Sequence, residues 1–162
     1  MKEKLVRAYM KTAETFAELS HAKRLHVGAI VVKDDRIISI GYNGMPAGWD
    51  NDCEDKEYLN HGHGFGEFAA DYFDHTDEDG RMYRLHTRPE VLHAERNALD
   101  KLAKGNEGGL GSTMFITHAP CLECSKSIYG AGIVEVFYKD DYRYDDGINF
   151  LKKCGVEVKQ VK

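Results

Sequence analysis

From residue 93 to residue 161 the chain alternates helical and extended patterns without a break, and that alternation restricts its fold more than any other feature. Residues 93–104 (HAERNALDKLAK) read as a helix stopped by Gly105, and Thr113–Thr117 (TMFIT) as a strand. Cys121–Tyr129 reads as a helix ended by Gly130, Val134–Tyr138 (VEVFY) as a strand, Asp146–Lys153 as a helix and Val156–Val161 as a last strand. Strands that alternate with helices bury their apolar faces best as a layered α/β sheet with helices on both sides.

The first half adds a helix and a hairpin. Residues 3–20 place Leu5, Tyr9, Thr12/Ala13, Phe16 and Leu19 at helical spacing. Val27–Val32 (VGAIVV) suits a buried strand, Asp34-Asp35 a turn, and Ile37–Tyr42 (IISIGY) a returning strand. This makes five strands and about four helices. From Gly44 to about Pro89 the pattern dissolves into glycines, histidines and acids (DNDCEDKE, DHTDEDG). A loop that long is unusual in a compact domain, so it is functional or partly helical, around Glu67–Phe73. The expectation is one domain over residues 1–162, with an inserted loop at about 47–88.

Composition narrows the function classes. With 22 Lys+Arg against 27 Asp+Glu the net charge is 22 − 27 = −5, which argues against a protein built to grip a nucleic-acid backbone. No apolar run approaches the roughly 18 residues of a membrane span, and the N-terminus lacks a signal-peptide apolar region. A cytoplasmic setting is expected. Four cysteines are too few for a disulfide framework at 162 residues, so a C-x-x-C pair in such a chain reads as metal or redox chemistry.

Two motifs lie where a strand gives way to a helix: His93-Ala94-Glu95 and Pro120-Cys121-Leu122-Glu123-Cys124. One imidazole and two thiolates leave the fourth position of a tetrahedral zinc open, as catalytic sites do. Cys121 and Cys124, in the first turn of a helix, point to the same side, where the helix N-terminus favours thiolates. Glu95 can reach a metal-activated water without being a ligand and carry its proton elsewhere. The 25 positions from Glu95 to Pro120 hold a helix, a loop and a strand, enough to bring two helix N-termini to one sheet edge. Other readings stay open: a redox pair, or a closed structural zinc with Cys53 or Cys154 as fourth ligand.

The H-x-E…P-C-x-x-C pattern is the signature of zinc-dependent nucleobase deaminases, and the chain resembles the cytidine and deoxycytidylate deaminase family. Within that family it is most similar to the deoxycytidylate deaminases of bacteriophages. The likeness is carried by Val27–Val32, Gly41-Tyr42-Asn43-Gly44-Met45-Pro46, His93-Ala94-Glu95 with Asn97-Ala98-Leu99, the two cysteines, Tyr138–Tyr142 and Gly155–Val158. It implies a three-layer α/β/α cytidine-deaminase-like fold around a five-stranded mixed sheet. It makes His93, Cys121 and Cys124 zinc ligands and Glu95 the proton shuttle. Asn43 would bind the sugar hydroxyl, backbone groups of Ala94 and Ala119 the amine and ring, and Tyr142 the substrate near its phosphate. Water activated at the metal would add to C4 of the cytosine ring of dCMP while Glu95 supplies protons to N3 and then to the departing ammonia. The resemblance also implies a homohexamer activated by dCTP and inhibited by dTTP with Mg²⁺.

The segment His21–His26 (HAKRLH) gathers cations on an acidic chain. It is either a solvated helix end or a phosphate site for substrate or effector, drawn from Lys23, Arg24, His26, Gly44 and Arg143. Gly41–Pro46 and this segment are expected at opposite ends of the hairpin path, where a neighbouring subunit could complete an effector site. Cys53 with His61, His63, His75 and His86 raises the question of a second, structural zinc. The competing functions are a deaminase acting on dCTP, a nucleoside or a tRNA base, and a zinc-stabilised binding module; Glu95 speaks against the module, and the acidic charge against a polynucleotide.

Overall fold

The computed structural model describes residues 1–59 and 73–162. Helix α1 (Glu3–Ala17) buries Val6, Met10, Ala13 and Ala17, spaced three to four residues apart along one stripe. Strands β1 (Gly28–Lys33) and β2 (Arg36–Tyr42) form the expected hairpin. Its turn residues Asp34 and Asp35 both take positive φ, 49° and 57°. Two such residues make the turn whose twist matches the strands, and aspartate visits this region more readily than most residues.

The stretch read from the sequence as an inserted loop contains a second sheet. Strands β3 (Glu54–Tyr58), β4 (His75–Thr76) and β5 (Met82–Thr87) pair antiparallel in the order β3-β5-β4. The sequence hid it because β3 (EDKEY) has one buried residue and a mostly exposed remainder, so no apolar alternation marks it. Cross-strand pairs stabilise it instead: Glu57 with Arg84 at 2.7 Å, and the Tyr58 and Tyr83 rings 5.7 Å apart. Of the helix expected around Glu67–Phe73, residues 67–72 lie outside the described residues, and Phe73 is buried but not helical.

The remaining elements follow the predicted order: α2 (Ala94–Ala103), β6 (Thr113–His118), α3 (Leu122–Gly130), β7 (Glu135–Asp140), α4 (Asp146–Lys153) and β8 (Glu157–Gln160). The main sheet runs β2-β1-β6-β7-β8, with β6, β7 and β8 parallel and β1 antiparallel to both neighbours. It is the expected five-stranded mixed sheet in three layers. Alternate residues serve opposite faces: Ala29, Val31, Met114, Ile116 and Val136 pack under α2, α3 and α4. Ile30, Val32, Phe115 and Phe137 pack under α1. Burial on both faces explains why β1 is apolar throughout.

This topology makes β2 and β6 run in the same direction, since each is antiparallel to β1. The helices that follow them, α2 after the insert and α3 directly, therefore both start at the sheet edge where those strands end. Close approach fixes α2 there. A methyl on Gly41 would fall 2.2 Å from the Ala94 carbonyl oxygen, and only glycine leaves that room.

Candidate metal and acid–base centre

Each helix beginning at that edge has an unusual first residue. His93 precedes α2 and Cys121 precedes α3, both in extended backbone (φ −68°, ψ 151° and φ −69°, ψ 166°), and neither side chain caps its helix. Residues at this position ordinarily accept a hydrogen bond from the free N–H groups. Here the side chains are turned to each other instead. Cys121 is thus the capping position, just before the first turn in which the sequence placed it, while Cys124 lies within that turn.

The ligand atoms of His93, Cys121 and Cys124 all lie within 4.8 Å of one another, and this is the one such group among the described residues. His93 Nδ1 is 3.7 Å from Cys121 Sγ and 3.4 Å from Cys124 Sγ. Zinc with bonds of about 2.3 Å to sulfur and about 2.0–2.1 Å to nitrogen holds tetrahedral N and S ligands about 3.6 Å apart. The trio therefore fits zinc. The charge fits as well: hydrogen bonds from Cys124 and His93 lower the Cys121 thiol to about 4. Cys124, beside that thiolate and buried, is pushed up, and the Cys121 contact raises His93. Two further donors crowded against one thiolate suit a divalent cation. With three donors in the group, neither Cys53 nor Cys154 supplies a fourth ligand among the described residues.

Glu95 sits in the first turn of α2 with 4% of its surface exposed, behind the trio. Burial pushes its carboxyl above the usual carboxylate range, against the pull of its own backbone N–H and of His93. A carboxyl held in that way is suited to accept a proton and give it back.

A cleft with a cavity volume of about 240 Å³ opens over these residues. Asn43, Ala94, Ala119, Tyr142, Arg143 and Arg24 line it, together with His93, Glu95 and Cys121. Lys23, His26 and Gly44 do not; Gly44 pairs with Leu92 in an isolated bridge that leads into α2. Asn43 is already braced: its Oδ1 accepts from Val27 N and its Nδ2 donates to Leu25 O, each at 2.8 Å. One lone pair and one N–H remain for a ligand. Those same bonds correct the hairpin expectation. An antiparallel pair brings the start of β1 and the end of β2 together, so residues 21–26 and 41–46 meet at one end, beside the cleft.

Sequence reasoning passed over three polar lining residues, Glu54, Thr87 and His118. The first two belong to the unrecognised sheet. His118 ends β6, two residues before Pro120; the placement of that motif was its one signal. Of the residues considered for a second zinc, Cys53 is packed with Ala22, Val91 and Met45, and burial raises its thiol. His75 stacks on Tyr83, His86 is exposed on β5, and His61 and His63 lie outside the described residues.

Gly147, in the first turn of α4, holds the cysteine turn from behind. A methyl there would stand 2.1 Å from the Pro120 carbonyl oxygen and 2.9 Å from the Cys121 carbonyl carbon. Gly147→Ala is expected to cost about 1–3 kcal/mol by overpacking and to speed zinc loss to a chelator. Unchanged thermal unfolding and zinc retention would show that α4 recedes freely.

A layered α/β sheet with a His/Cys/Cys trio and a buried carboxyl at two helix N-termini defines a metal-assisted acid–base centre. The chain belongs to the cytidine and deoxycytidylate deaminase family, whose zinc-binding region matches residues 3–140. It is 33% identical over 153 residues to the deoxycytidylate deaminase of Enterobacteria phage T4, covering 82% of this chain and 77% of that one. The deoxycytidylate deaminase of Mycobacterium phage D29 is 35% identical over 130 residues, 80% of this chain and 90% of that one. Among solved structures, the dCMP deaminase of cyanophage S-TIM5 in complex with dCMP and dUMP superposes with a TM-score of 0.79 at 44% identity, over 99% of both chains. No described helix is long and apolar enough to cross a membrane.

Proposed function

We propose that this protein hydrolyses dCMP to dUMP and ammonia, acting over residues 1–162 as one cytoplasmic catalytic unit. The observation that carries the reading is the buried Glu95 carboxyl behind the His93/Cys121/Cys124 trio at the cleft floor. The match to a cyanophage dCMP deaminase over nearly the whole chain supports the substrate. His93, Cys121 and Cys124 hold zinc, which when bound supplies the Lewis acidity that makes water nucleophilic near neutral pH. Glu95 takes a proton from the attacking water and gives it to N3 as the oxygen adds to C4. It then takes the remaining proton of that oxygen and gives it to the exocyclic amino group, so that the C4–N bond breaks, ammonia leaves and the C4 carbonyl of dUMP forms. The exocyclic amine and ring lie against the backbone of Ala94 and Ala119, and the free amide valences of Asn43 meet the sugar. Tyr142, 37% exposed at the rim, and the guanidiniums of Arg24 and Arg143 face the phosphate, which planar donor forks bind well.

The family resemblance extends the proposal to a homohexamer that dCTP activates and dTTP with Mg²⁺ inhibits. Such control needs two states with different effector affinity. Ammonia release measured on dCMP, deoxycytidine, dCTP and tRNA, with and without dCTP and dTTP, tests the whole reading. The expected result is kcat/KM for dCMP at least about tenfold above that for deoxycytidine, the worth of one charge-assisted hydrogen bond. Deoxycytidine turned over as efficiently as dCMP would remove the phosphate from recognition, and preference for tRNA would overturn the substrate.

A further inference from the structure

The second sheet reaches the cleft by one rung. Glu54 on β3 and Thr87 on β5 are paired across the strands, and both line the cavity. The Glu54 side chain is buried, with 8% of the residue exposed, and it faces a site that has to accept an anion. A carboxylate there repels a phosphate unless it does something else. Its partners show what. Oε1 accepts the backbone N–H of Lys23 at 3.0 Å and of Arg24 at 3.2 Å, while Oε2 accepts that of Lys23 at 3.1 Å. From the other end of the rung, Thr87 Oγ1 accepts from Arg24 Nη1 at 3.1 Å. Arg24 is therefore gripped at its backbone by one member of the rung and at its guanidinium by the other.

We propose that the Glu54–Thr87 rung of the inserted sheet is the positioning device that presents Arg24 to the phosphate of the nucleotide. The inference rests on the reading of this cleft as a dCMP site. It gives the insert a task, since the backbone N–H groups of Lys23 and Arg24 and the Arg24 guanidinium are all anchored on it. The same bonds explain how a carboxylate is tolerated there: the backbone N–H groups of Lys23 and Arg24 satisfy it, and a guanidinium held in place by Thr87 loses less entropy on gripping a phosphate.

The test is a kinetic double-mutant cycle on the zinc-loaded protein with dCMP. Arg24→Ala is expected to raise KM about tenfold, the loss of one charge-assisted contact. Glu54→Ala and Thr87→Val should each raise KM roughly fivefold with kcat within about twofold and zinc content unchanged. Glu54→Gln, which keeps the Oε1 acceptor, should recover most of the loss. In the Arg24→Ala background neither rung variant should raise KM further, because a device acting through Arg24 has nothing left to position. Additive effects in that background would overturn the proposal, as would a lower KM in Glu54→Gln, the sign of a carboxylate that only repels. If Glu54→Ala fails to fold, Thr87→Val and Glu54→Gln carry the cycle. A KM unmoved by Arg24→Ala, in an enzyme that still prefers dCMP to deoxycytidine, would end this proposal and leave the proposed reaction standing. No preference for dCMP in the wild-type protein would end both.

Discussion

Glu95→Gln is expected to lower kcat on dCMP by roughly 10²–10⁴-fold, the usual worth of general acid–base transfer, while zinc content and KM stay near the wild-type values. That range corresponds to about 2.7–5.5 kcal/mol of barrier. A neutral hydrogen bond is worth only about 0.5–1.5 kcal/mol, so a residue that merely held the ring would cost about tenfold at most. The magnitude thus separates proton transfer from binding. Glutamine keeps the shape and one acceptor of a side chain that is 4% exposed, so the fold and the neighbouring trio have no cause to move. What it lacks is a group that can take a proton and return it. Metal analysis alongside steady-state ammonia release checks both halves. A variant within threefold of wild type at full zinc would remove Glu95 from the chemistry.

The central sheet and the clustering of His93, Cys121 and Cys124 were legible because both leave short-range marks. β1 and β6 are apolar runs buried on two faces, α2 and α3 are bounded by glycine or a motif, and the ligands sit at fixed offsets around helix starts. The inserted sheet left no such mark. In β3, Asp55, Lys56 and Glu57 are all exposed, and only Glu54 is buried. A polar strand held by pairs such as Glu57–Arg84 depends on its partner nearly thirty residues away, and no local period reveals that. Arg24 was legible as a charge, but the rung that aims it was not. His118 shows the same limit, since its place on the cleft wall depends on β6 ending beside Pro120 rather than on residue type. The hairpin error was of another kind, because antiparallel pairing alone brings Val27 beside Asn43.

Cys121→Ser and Cys124→Ser are each expected to strip the catalytic zinc and with it nearly all activity. Apparent binding energies for four-ligand zinc sites are about 10–16 kcal/mol. Shared evenly, each ligand accounts for about 2.5–4 kcal/mol, so losing one thiolate weakens the site on the order of 10²–10³-fold. The two substitutions differ in what they leave behind. Cys121 is the member held as thiolate, its thiol lowered to about 4 by Cys124 and His93, so serine there removes the charge that neutralises the metal. Cys124 is buried against Glu95 and Cys121, and serine there puts a hydroxyl among groups arranged around sulfur. Cys154→Ser is the matched control. Cys154 follows α4 seven residues beyond Gly147, about 10 Å along the helix axis at 1.5 Å per residue, and it should keep both metal and turnover. Metal analysis after dialysis against a weak chelator, with ammonia release on the same samples, reads the three variants together. Full zinc in either Cys121→Ser or Cys124→Ser would refute the ligand assignment; zinc loss in Cys154→Ser would mean that the metal responds to general damage rather than to its ligands.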